Sequence, residues 1–307
     1  MNKIVIIGCG NVGMSSAYAL LLNGASIDEL VLIDIDKEKA EGEALDLNHA
    51  LSYASRSIKI YAGNYEDCND ATIIIICAGK NQNVGESRTN LLEKNCKVFE
   101  SIISEIKKTN FSGIFLVATN PVDTMSLVTQ QLSGVAPSKV IGTGTTLDTS
   151  RLRFLLSKKT NINTSNIHGF VLGEHGDSEF VSWSNVKIST SDISNFIKES
   201  EYTSIEQEVK NSAYEIIKKK GNTSFGIGVC VLKIVNAILL NENRVMTVSS
   251  FHKKDELFYS LPCVINRKGV QRVLDITLTE KDKQKLKDSL LSLEKAKNEI
   301  YKPKPAS

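Results

Sequence analysis

Short apolar runs separated by helical patterns dominate the first half of the chain. Ile4–Ile7, Leu30–Ile33, Thr72–Cys77 and Ile114–Ala118 consist almost entirely of aliphatic residues, without polar alternation. Runs of this kind are typical of strands that are buried on both faces of a parallel sheet. Because helical patterns separate them, the sequence predicts repeated βα units that form a right-handed parallel sheet with helices on both sides.

The second half has a different pattern of predicted elements. Apolar residues at helical spacing predict helices along the whole chain, at Val12–Leu22, Lys37–Leu47, Leu91–Lys108, Leu147–Ser157, Ile205–Lys219, Gly228–Leu240 and Glu280–Tyr301. After Gly142 the helices alternate with β-like stretches at Ile167–Leu172, Arg244–Ser250 and Leu257–Asn266. The pattern therefore predicts an α/β fold, with a doubly wound parallel sheet (a Rossmann domain) over residues 1–142 and an α+β domain over 143–307.

Composition limits the function classes. The chain has 307 residues, of which 41% are hydrophobic, enough for two domains with sizeable cores. Its 37 basic and 35 acidic residues give a net charge of +2, which argues against a nucleic-acid or membrane-surface binder. None of the six cysteines forms a C-x-x-C pair, so no metal site is predicted. The chain shows neither a signal peptide nor a membrane-length apolar run, and a cytoplasmic protein is expected.

A glycine-rich loop follows the first strand. Gly8-Cys9-Gly10-Asn11-Val12-Gly13 opens the first helix, and Asp34 ends the second strand. Glycines there permit a tight turn and a close approach of the backbone to a pyrophosphate at the helix N-terminus. A carboxylate at Asp34 would accept hydrogen bonds from a ribose and repel a 2′-phosphate. We therefore predict NAD as the cofactor, held by Gly8, Gly10, Asn11, Val12, Gly13 and Asp34. A structural turn beside a surface aspartate is the alternative.

Two further segments follow predicted strands, at the sheet edge where ligands bind in such folds. Asn120 precedes Pro121 and is predicted to donate to the nicotinamide and the substrate, although a simple turn ahead of proline fits equally well. The polar stretch from Gly79 to Arg88 resembles a mobile lid, with Gly79 beside the cofactor. Arg88 at its end is predicted to polarise a bound carbonyl. The alternative for this stretch is a solvated loop.

The hexapeptide Gly173-Glu174-His175-Gly176-Asp177-Ser178 contains the candidate acid–base group. A histidine with an unperturbed pKa of about 6.5 suits proton transfer near neutrality. Upstream, Asp148 and Arg151 are three residues apart and share one helix face. They either form a local ion pair with each other or take separate roles. In the second case Asp148 holds the far nitrogen of His175, and Arg151 binds a substrate carboxylate.

Together these segments resemble the L-lactate/L-malate dehydrogenase family of NAD-dependent 2-hydroxy acid dehydrogenases. The resemblance spans nearly the whole chain and rests on six motifs, at Gly8–Gly13, Glu41–Ala50, Gly85–Arg88, Ala118–Asp123, Leu147–Arg153 and Gly173–Ser178. It implies hydride transfer between NADH and a small 2-oxo acid. A non-catalytic NAD-binding protein is disfavoured because the residues that match the family's catalytic set are present.

The resemblance also implies a role for each matching residue. His175 would be the proton donor and acceptor, with Asp148 as its partner. Arg151 would anchor the substrate carboxylate and Arg88 would polarise its carbonyl. The supporting substrate contacts would come from Asn120 and Thr223.

Gln82 matches the lid residue that, in this family, recognises the far end of the substrate. Malate dehydrogenases carry arginine there, and a neutral Gln82 would leave a second carboxylate unpaired. The resemblance therefore favours L-lactate dehydrogenase. Phe180–Ser184 lacks a proline common in that branch, and Asn222–Gly226 resembles L-2-hydroxyisocaproate dehydrogenases, as does Phe180–Ser184. Val84 replaces a common lid proline, so a bulkier 2-oxo acid remains an alternative.

Regulation and assembly follow from the same resemblance. Arg153 and His168 match an arginine and a histidine that bind fructose 1,6-bisphosphate at a subunit interface of some bacterial relatives. They are equally well explained as a surface arginine and a strand histidine. The family implies a homotetramer, or dimers that associate when the effector binds. The apolar face of the helix that begins near Lys37 is a candidate two-fold contact, although the same pattern would pack equally well onto the sheet.

Overall fold

The first half of the chain folds as alternating strands and helices. The computed structural model describes residues 1–80 and 88–300. The strands of this half are β1 (Lys3–Ile7), β2 (Glu29–Ile33), β3 (Lys59–Ala62), β4 (Ile73–Ile76), β5 (Ile114–Val117) and β6 (Val140–Gly142). The helices are α1 (Asn11–Asn23), α2 (Lys37–Ala50), α3 (Arg88–Ile106), α4 (Val122–Ser133) and α5 (Thr146–Thr160).

The second half contains shorter strands and three long helices. Its strands are β7 (Ile167–His168), β8 (Val171–Leu172), β9 (Phe180–Val181), β10 (Lys187–Ile188), β11 (Ser191–Asp192), β12 (Arg244–Met246), β13 (Ser249–His252), β14 (Leu257–Ser260), β15 (Cys263–Asn266) and β16 (Gly269–Val273). The helices are α6 (Tyr202–Lys220), α7 (Phe225–Leu239) and α8 (Glu280–Ile300). None of the described helices is both long enough and apolar enough to cross a membrane.

The largest sheet within the described ranges has eight strands in the order β14-β13-β6-β5-β4-β1-β2-β3. The strands from β6 to β3 are parallel, and each pairs in register with its neighbour. The strand order reverses between β1 and β4, which is where ligands bind in doubly wound sheets. The predicted parallel sheet with helices on both faces is confirmed.

Two hydrophobic clusters cover the two faces of this sheet. Ile4 and Ile6 of β1 face one cluster, which includes residues of α1, α2 and α7. Val5 and Ile7 face the other, which includes residues of α3 and α4. Successive side chains of a strand point to opposite faces, so a strand covered on both sides must be apolar throughout. This is the physical reason for the uninterrupted runs in β1 and β4.

Two strands of the second half belong to the large sheet. β13 and β14 extend the large sheet as antiparallel strands, with Ser249 paired to Gly142 of β6. A Cβ atom on Gly142 would lie 2.7 Å from Cβ of Ser249. The glycine therefore allows this close approach. Arg244–Ser250, predicted as one stretch, divides between two sheets, and so does Leu257–Asn266.

The predicted stretch Ile167–Leu172 is also divided. β7 pairs with β10, whereas β8 pairs with β9. Gly169 lies at the division, packed against Val186. Each half forms its backbone hydrogen bonds with a different partner strand. This pairing depends on residues that are distant in sequence, so the local pattern does not predict it. β3 was not predicted because Lys59 and Tyr61 interrupt its apolar character at the sheet edge.

Candidate active site

The glycine-rich loop connects β1 to α1 at the carboxyl edge of the sheet. Gly8 has a φ of +103°, and a Cβ atom there would lie 2.4 Å from the backbone nitrogen of Ala78. A Cβ atom on Gly13 would lie 2.0 Å from the carbonyl oxygen of Gly8. In contrast, the Cβ position of Gly10 has open space around it. Two of the glycines permit close packing and the third leaves a cradle open at the N-terminus of α1, which fits a dinucleotide pyrophosphate.

Asp34 follows β2 and faces this loop. Its Oδ2 accepts a hydrogen bond from the backbone N–H of Cys9 at 2.6 Å, and its Oδ1 accepts one from the N–H of Asp36 at 3.0 Å. The carboxylate is thereby fixed beside the second residue of the glycine loop, and it remains partly exposed. Asn11 and Val12 form the first turn of α1, so their backbone N–H groups point towards the open cradle.

The loops after β4 and β5 are joined by an asparagine that sequence reasoning missed. Asn95 of α3 is fully buried. Its Oδ1 accepts a hydrogen bond from the N–H of Lys80 at 2.7 Å, and its Nδ2 donates to the carbonyl oxygen of Asn120 at 2.8 Å. Gly79 lies against Thr119, where a Cβ atom would approach Cγ2 to 2.5 Å. Asn120 is exposed at the same sheet edge.

His175, Asp148 and Arg151 form one hydrogen-bonded group. His175 lies in the loop between β8 and β9, and Asp148 and Arg151 lie on successive turns of α5. Nδ1 of His175 is 2.6 Å from Oδ2 of Asp148, and Nη1 of Arg151 donates to Oδ1 at 2.5 Å. The Asp148 side chain is 2% exposed, whereas those of Arg151 and His175 are 12% and 25% exposed. Asp148 therefore takes both roles considered for it, as the ion-pair partner of Arg151 and the partner of His175.

The protonation of this group follows from its charges. Burial alone would lower the pKa of His175, but the charge and hydrogen bond of Asp148 outweigh it and raise the pKa to about 9. For Asp148, burial favours the neutral form, and the opposing charges of His175 and Arg151 keep its pKa below the ordinary value. The imidazolium–carboxylate pair is thus the stable state near neutrality, poised to give up a proton.

A second buried carboxyl positions the backbone of the histidine loop. Asp123, in the first turn of α4, accepts a hydrogen bond from the N–H of His175 at 2.7 Å. Burial raises its pKa to about 7. Sequence reasoning quoted Asp123 at the end of a motif and gave it no role. Its place in the first turn of α4, where acidic residues are common, gave no signal of this contact.

For several other predicted site residues, the structure describes only part of the surroundings or none. Gln82, Val84 and Gly85 lie outside the described residues; Arg88 begins α3, with a side chain outside that description. Thr223 is half-buried in the turn between α6 and α7. The first turn of α7, just after Thr223, packs against the residue before Asp148, because a Cβ atom on Gly226 would meet Cδ1 of Leu147 at 2.8 Å.

Arg153 and His168 lie away from the histidine loop. Arg153 donates to the carbonyl oxygen of Gly169 from Nη2 at 3.3 Å, and its guanidinium carbon is 5.5 Å from the centre of the Phe170 ring. His168, the residue before Gly169, is exposed. Arg153 thus contacts the stretch of chain that carries His168.

Two family models match this chain consecutively. Residues 2–142 match the lactate/malate dehydrogenase NAD binding domain. Residues 145–303 match the lactate/malate dehydrogenase alpha/beta C-terminal domain. The chain belongs to the lactate/malate dehydrogenase family. The predicted cofactor, NAD, is confirmed by the match to the NAD binding domain, as is the family resemblance.

Individual members of the lactate/malate dehydrogenase family are similar over almost their whole length. An L-lactate dehydrogenase of Borrelia turicatae is 43% identical over 303 residues, covering 95% of this chain and 96% of the relative. One from Halalkalibacterium halodurans is 43% identical over 304 residues, covering 98% of both. The crystal structure of MGS-M5, a lactate dehydrogenase from a Medee basin deep-sea metagenome library, has a TM-score of 0.95 and 41% identity, covering 98% of this chain and 99% of that one.

Proposed function

We propose that this chain is an L-lactate dehydrogenase that transfers hydride reversibly between NADH and pyruvate. The observation that supports this most is the group formed by His175, Asp148 and Arg151. It combines a proton donor held by a carboxylate with a guanidinium suited to a substrate carboxylate, and these are what the reduction of a 2-oxo acid requires. Relatives of nearly equal length that carry the name L-lactate dehydrogenase support the same conclusion.

Arg151 orients the substrate. One of its nitrogens, Nη1, is committed to Asp148, and a guanidinium has further N–H donors in a planar fork. Those donors bind the carboxylate of pyruvate. Because Asp148 also holds His175, the anchored substrate and the proton donor have a fixed separation.

His175 transfers the proton through Nε2. Its Nδ1 is held by Asp148 at 2.6 Å, which leaves Nε2 for the substrate oxygen. NADH, when bound, supplies the hydride. As the 2-oxo oxygen becomes an alkoxide, His175 donates its proton there, and Asp148 stabilises the imidazolium before transfer. Oxidation of lactate requires neutral His175 for the reverse step.

The remaining site residues support orientation and charge. Arg88 polarises the carbonyl, Asn120 donates to the substrate and the nicotinamide, and Thr223 lines the substrate pocket. On the cofactor side, Gly8, Gly10, Asn11, Val12 and Gly13 would hold the pyrophosphate of NAD, with Gly79 beside the cofactor. Asp34 would accept hydrogen bonds from its ribose hydroxyls.

Gln82 selects pyruvate because a neutral side chain gives no partner to a second carboxylate. The test is NADH oxidation measured spectrophotometrically with pyruvate, oxaloacetate and 2-oxoisocaproate in parallel. We expect the highest kcat/KM for pyruvate. A higher value for 2-oxoisocaproate would instead support the bulkier-substrate alternative, which Phe180–Ser184 and Asn222–Gly226 favour. The variant Gln82→Arg should raise the oxaloacetate-to-pyruvate ratio, and an unchanged ratio would reject this role for Gln82.

Arg153 and His168 form the proposed effector site for fructose 1,6-bisphosphate. Two cationic side chains at a symmetric interface would be doubled and could hold two phosphates. The effector should lower the KM for pyruvate and stabilise the tetramer, and Arg153→Gln should abolish both effects. Activity that ignores the effector at low pyruvate would reject the site.

The proposed assembly is a homotetramer built from dimers. Exposed apolar side chains lie on α1, α2 and α7, among them Tyr18, Leu45 and Phe225. A groove of about 810 Å³ between α1 and α7 continues this surface. Light scattering should give the mass of four chains with effector, and Leu45→Lys should shift the measured mass towards that of one chain.

The domain boundary lies near residue 142. The six free thiols fit a reducing, cytoplasmic compartment.

A further inference from the structure

Glu179 is a buried carboxyl group beside the histidine. It immediately precedes β9, and its side chain is 4% exposed. Its Oε2 lies 3.9 Å from Nδ1 of His175, the nitrogen that faces Asp148. One oxygen of Glu179, one oxygen of Asp148 and one nitrogen of His175 lie within 4.8 Å of one another. Two carboxyl groups thus share the Nδ1 side of one imidazole.

These two carboxyl groups are not equivalent. Asp148 is held by Arg151 and His175 at hydrogen-bond distance, and both contacts favour its ionised form. Within the described part of the chain, Glu179 has no cation at hydrogen-bond distance: Nδ1 of His175 is 3.9 Å away, and Asp148 and Arg151 of α5 and Lys210 of α6 are the other charged groups that act on it. Burial, followed by the negative charge of Asp148, raises the pKa of Glu179 well above its ordinary value. Of the two carboxyl groups, Glu179 is therefore the one whose surroundings favour the neutral form.

The charge balance of the site gives this proton a function. With Glu179 neutral, Arg151 and protonated His175 exceed Asp148 by one positive charge. The carboxylate of a 2-oxo acid bound at Arg151 then balances the charge of this hydrogen-bonded group. An ionised Glu179 would cancel that excess before the substrate arrives, and a second anion would enter a site of low dielectric without a partner.

We propose that Glu179 is a positioning residue that acts as a neutral acid. It donates a hydrogen bond to the Asp148 carboxylate, holds that carboxylate against His175, and leaves one excess positive charge for the substrate anion. The proposal rests on the proposed function because it assumes an anionic 2-oxo acid at Arg151. Glu179 lies one residue beyond the quoted hexapeptide, and only the fold brings it to α5.

Two variants separate the neutral acid from a charged one. Glu179→Gln keeps a neutral donor of the same size, and Glu179→Leu removes the donor. We expect kcat/KM for pyruvate to stay within about threefold in Glu179→Gln and to fall about tenfold or more in Glu179→Leu, the size expected for a lost hydrogen bond to a charged group. The alkaline limb of the pH profile should not move in Glu179→Gln.

The opposite results would overturn the proposal. If Glu179 is ionised, Glu179→Gln removes a negative charge beside His175, and the alkaline limb moves to lower pH. Wild-type kcat/KM in Glu179→Leu would show that the donor is not needed. Asp282→Asn is the matched control, since Asp282 is a buried carboxyl that accepts from Ser182. It should change the midpoint of thermal unfolding without changing the pH profile.

A measurement without substrate keeps this inference separate from the proposed function. At pH 8, above the pKa of about 7 for Asp123, infrared absorption of a protonated carboxyl should persist in the wild type and be lost in Glu179→Gln. Complete loss of that absorption in the wild type at pH 8 would overturn the proposal. If the band is present but no 2-oxo acid is reduced, the proposed function fails and the neutral state of Glu179 stands.

Discussion

Ser289 of the C-terminal helix α8 accepts a hydrogen bond from the backbone N–H of Glu174 at 2.7 Å. This contact ties the chain immediately before His175 to a helix more than a hundred residues away in sequence. Ser289 is fully buried, and a Cβ atom on Gly173 would lie 2.5 Å from its hydroxyl oxygen. Ser178 donates to the same hydroxyl at 3.1 Å. Both ends of the hexapeptide therefore meet on one side chain of α8.

Removal of this hydroxyl should loosen the histidine loop. Ser289→Ala leaves the partly buried N–H of Glu174 without its acceptor, at a cost of about 1 kcal/mol. We expect a lower midpoint of thermal unfolding and a several-fold lower kcat, with the Kd for NADH unchanged. Thr129→Val is the control, because it removes a buried hydroxyl of α4 that bonds only within its helix. Thr129→Val should lower the midpoint of thermal unfolding without lowering kcat. A similar fall of kcat in both variants would contradict the proposed effect of Ser289 on the histidine loop.

The pH dependence of the two reaction directions should be opposite. Because the pKa of His175 is raised to about 9, it is protonated below that pH and neutral above it. Reduction of pyruvate needs the protonated form, so its kcat/KM should be flat to about pH 9 and then fall. Oxidation of lactate should rise up to the same pH. Asp148→Asn removes the charge that raises the pKa and should move both limbs to lower pH. Limbs that stay in place would reject Asp148 as the cause.

Arg151→Lys should separate charge from geometry at the substrate anchor. Lysine keeps the positive charge but loses the planar fork that can hold Asp148 and a substrate carboxylate together. One charge-assisted hydrogen bond corresponds to about tenfold to a hundredfold in affinity, so the KM for pyruvate should rise by that range. The Kd for NADH should not change. Lys210→Arg, on the neighbouring helix, is the matched control, and an equal rise in KM there would contradict the assignment.

Sequence pattern predicted the parts of the fold that local burial determines. The runs in β1, β4 and β5 are apolar because helices cover both faces of the sheet. The spacing of Asp148 and Arg151 likewise indicated a shared helix face. The place of β13 in the large sheet depends on its pairing with Gly142, about a hundred residues away. A local sequence pattern cannot predict such a pairing.

The same distinction applies to the site. Motif residues such as His175 and Asp34 were recognisable because their chemistry needs particular neighbours in sequence. Asn95, Glu179 and Ser289 act through tertiary contacts and belong to elements whose patterns look purely structural. A buried polar side chain on an apolar helix face, such as Asn95, is the signal that sequence reasoning can use for such residues.

Asp34 should determine the choice of dinucleotide. Its carboxylate is held by the N–H of Cys9 at 2.6 Å, and under the proposed function it would accept hydrogen bonds from a ribose and repel a 2′-phosphate. Asp34→Ser should lower kcat/KM with NADH about tenfold or more and raise the NADPH-to-NADH ratio about a hundredfold, since a charged partner is lost in one case and a repulsion in the other. Asp36→Ser is the control, because serine can still cap α2 while a nearby charge is removed. An equal gain with NADPH in both variants would mean that general charge, and not a ribose contact at Asp34, sets the preference.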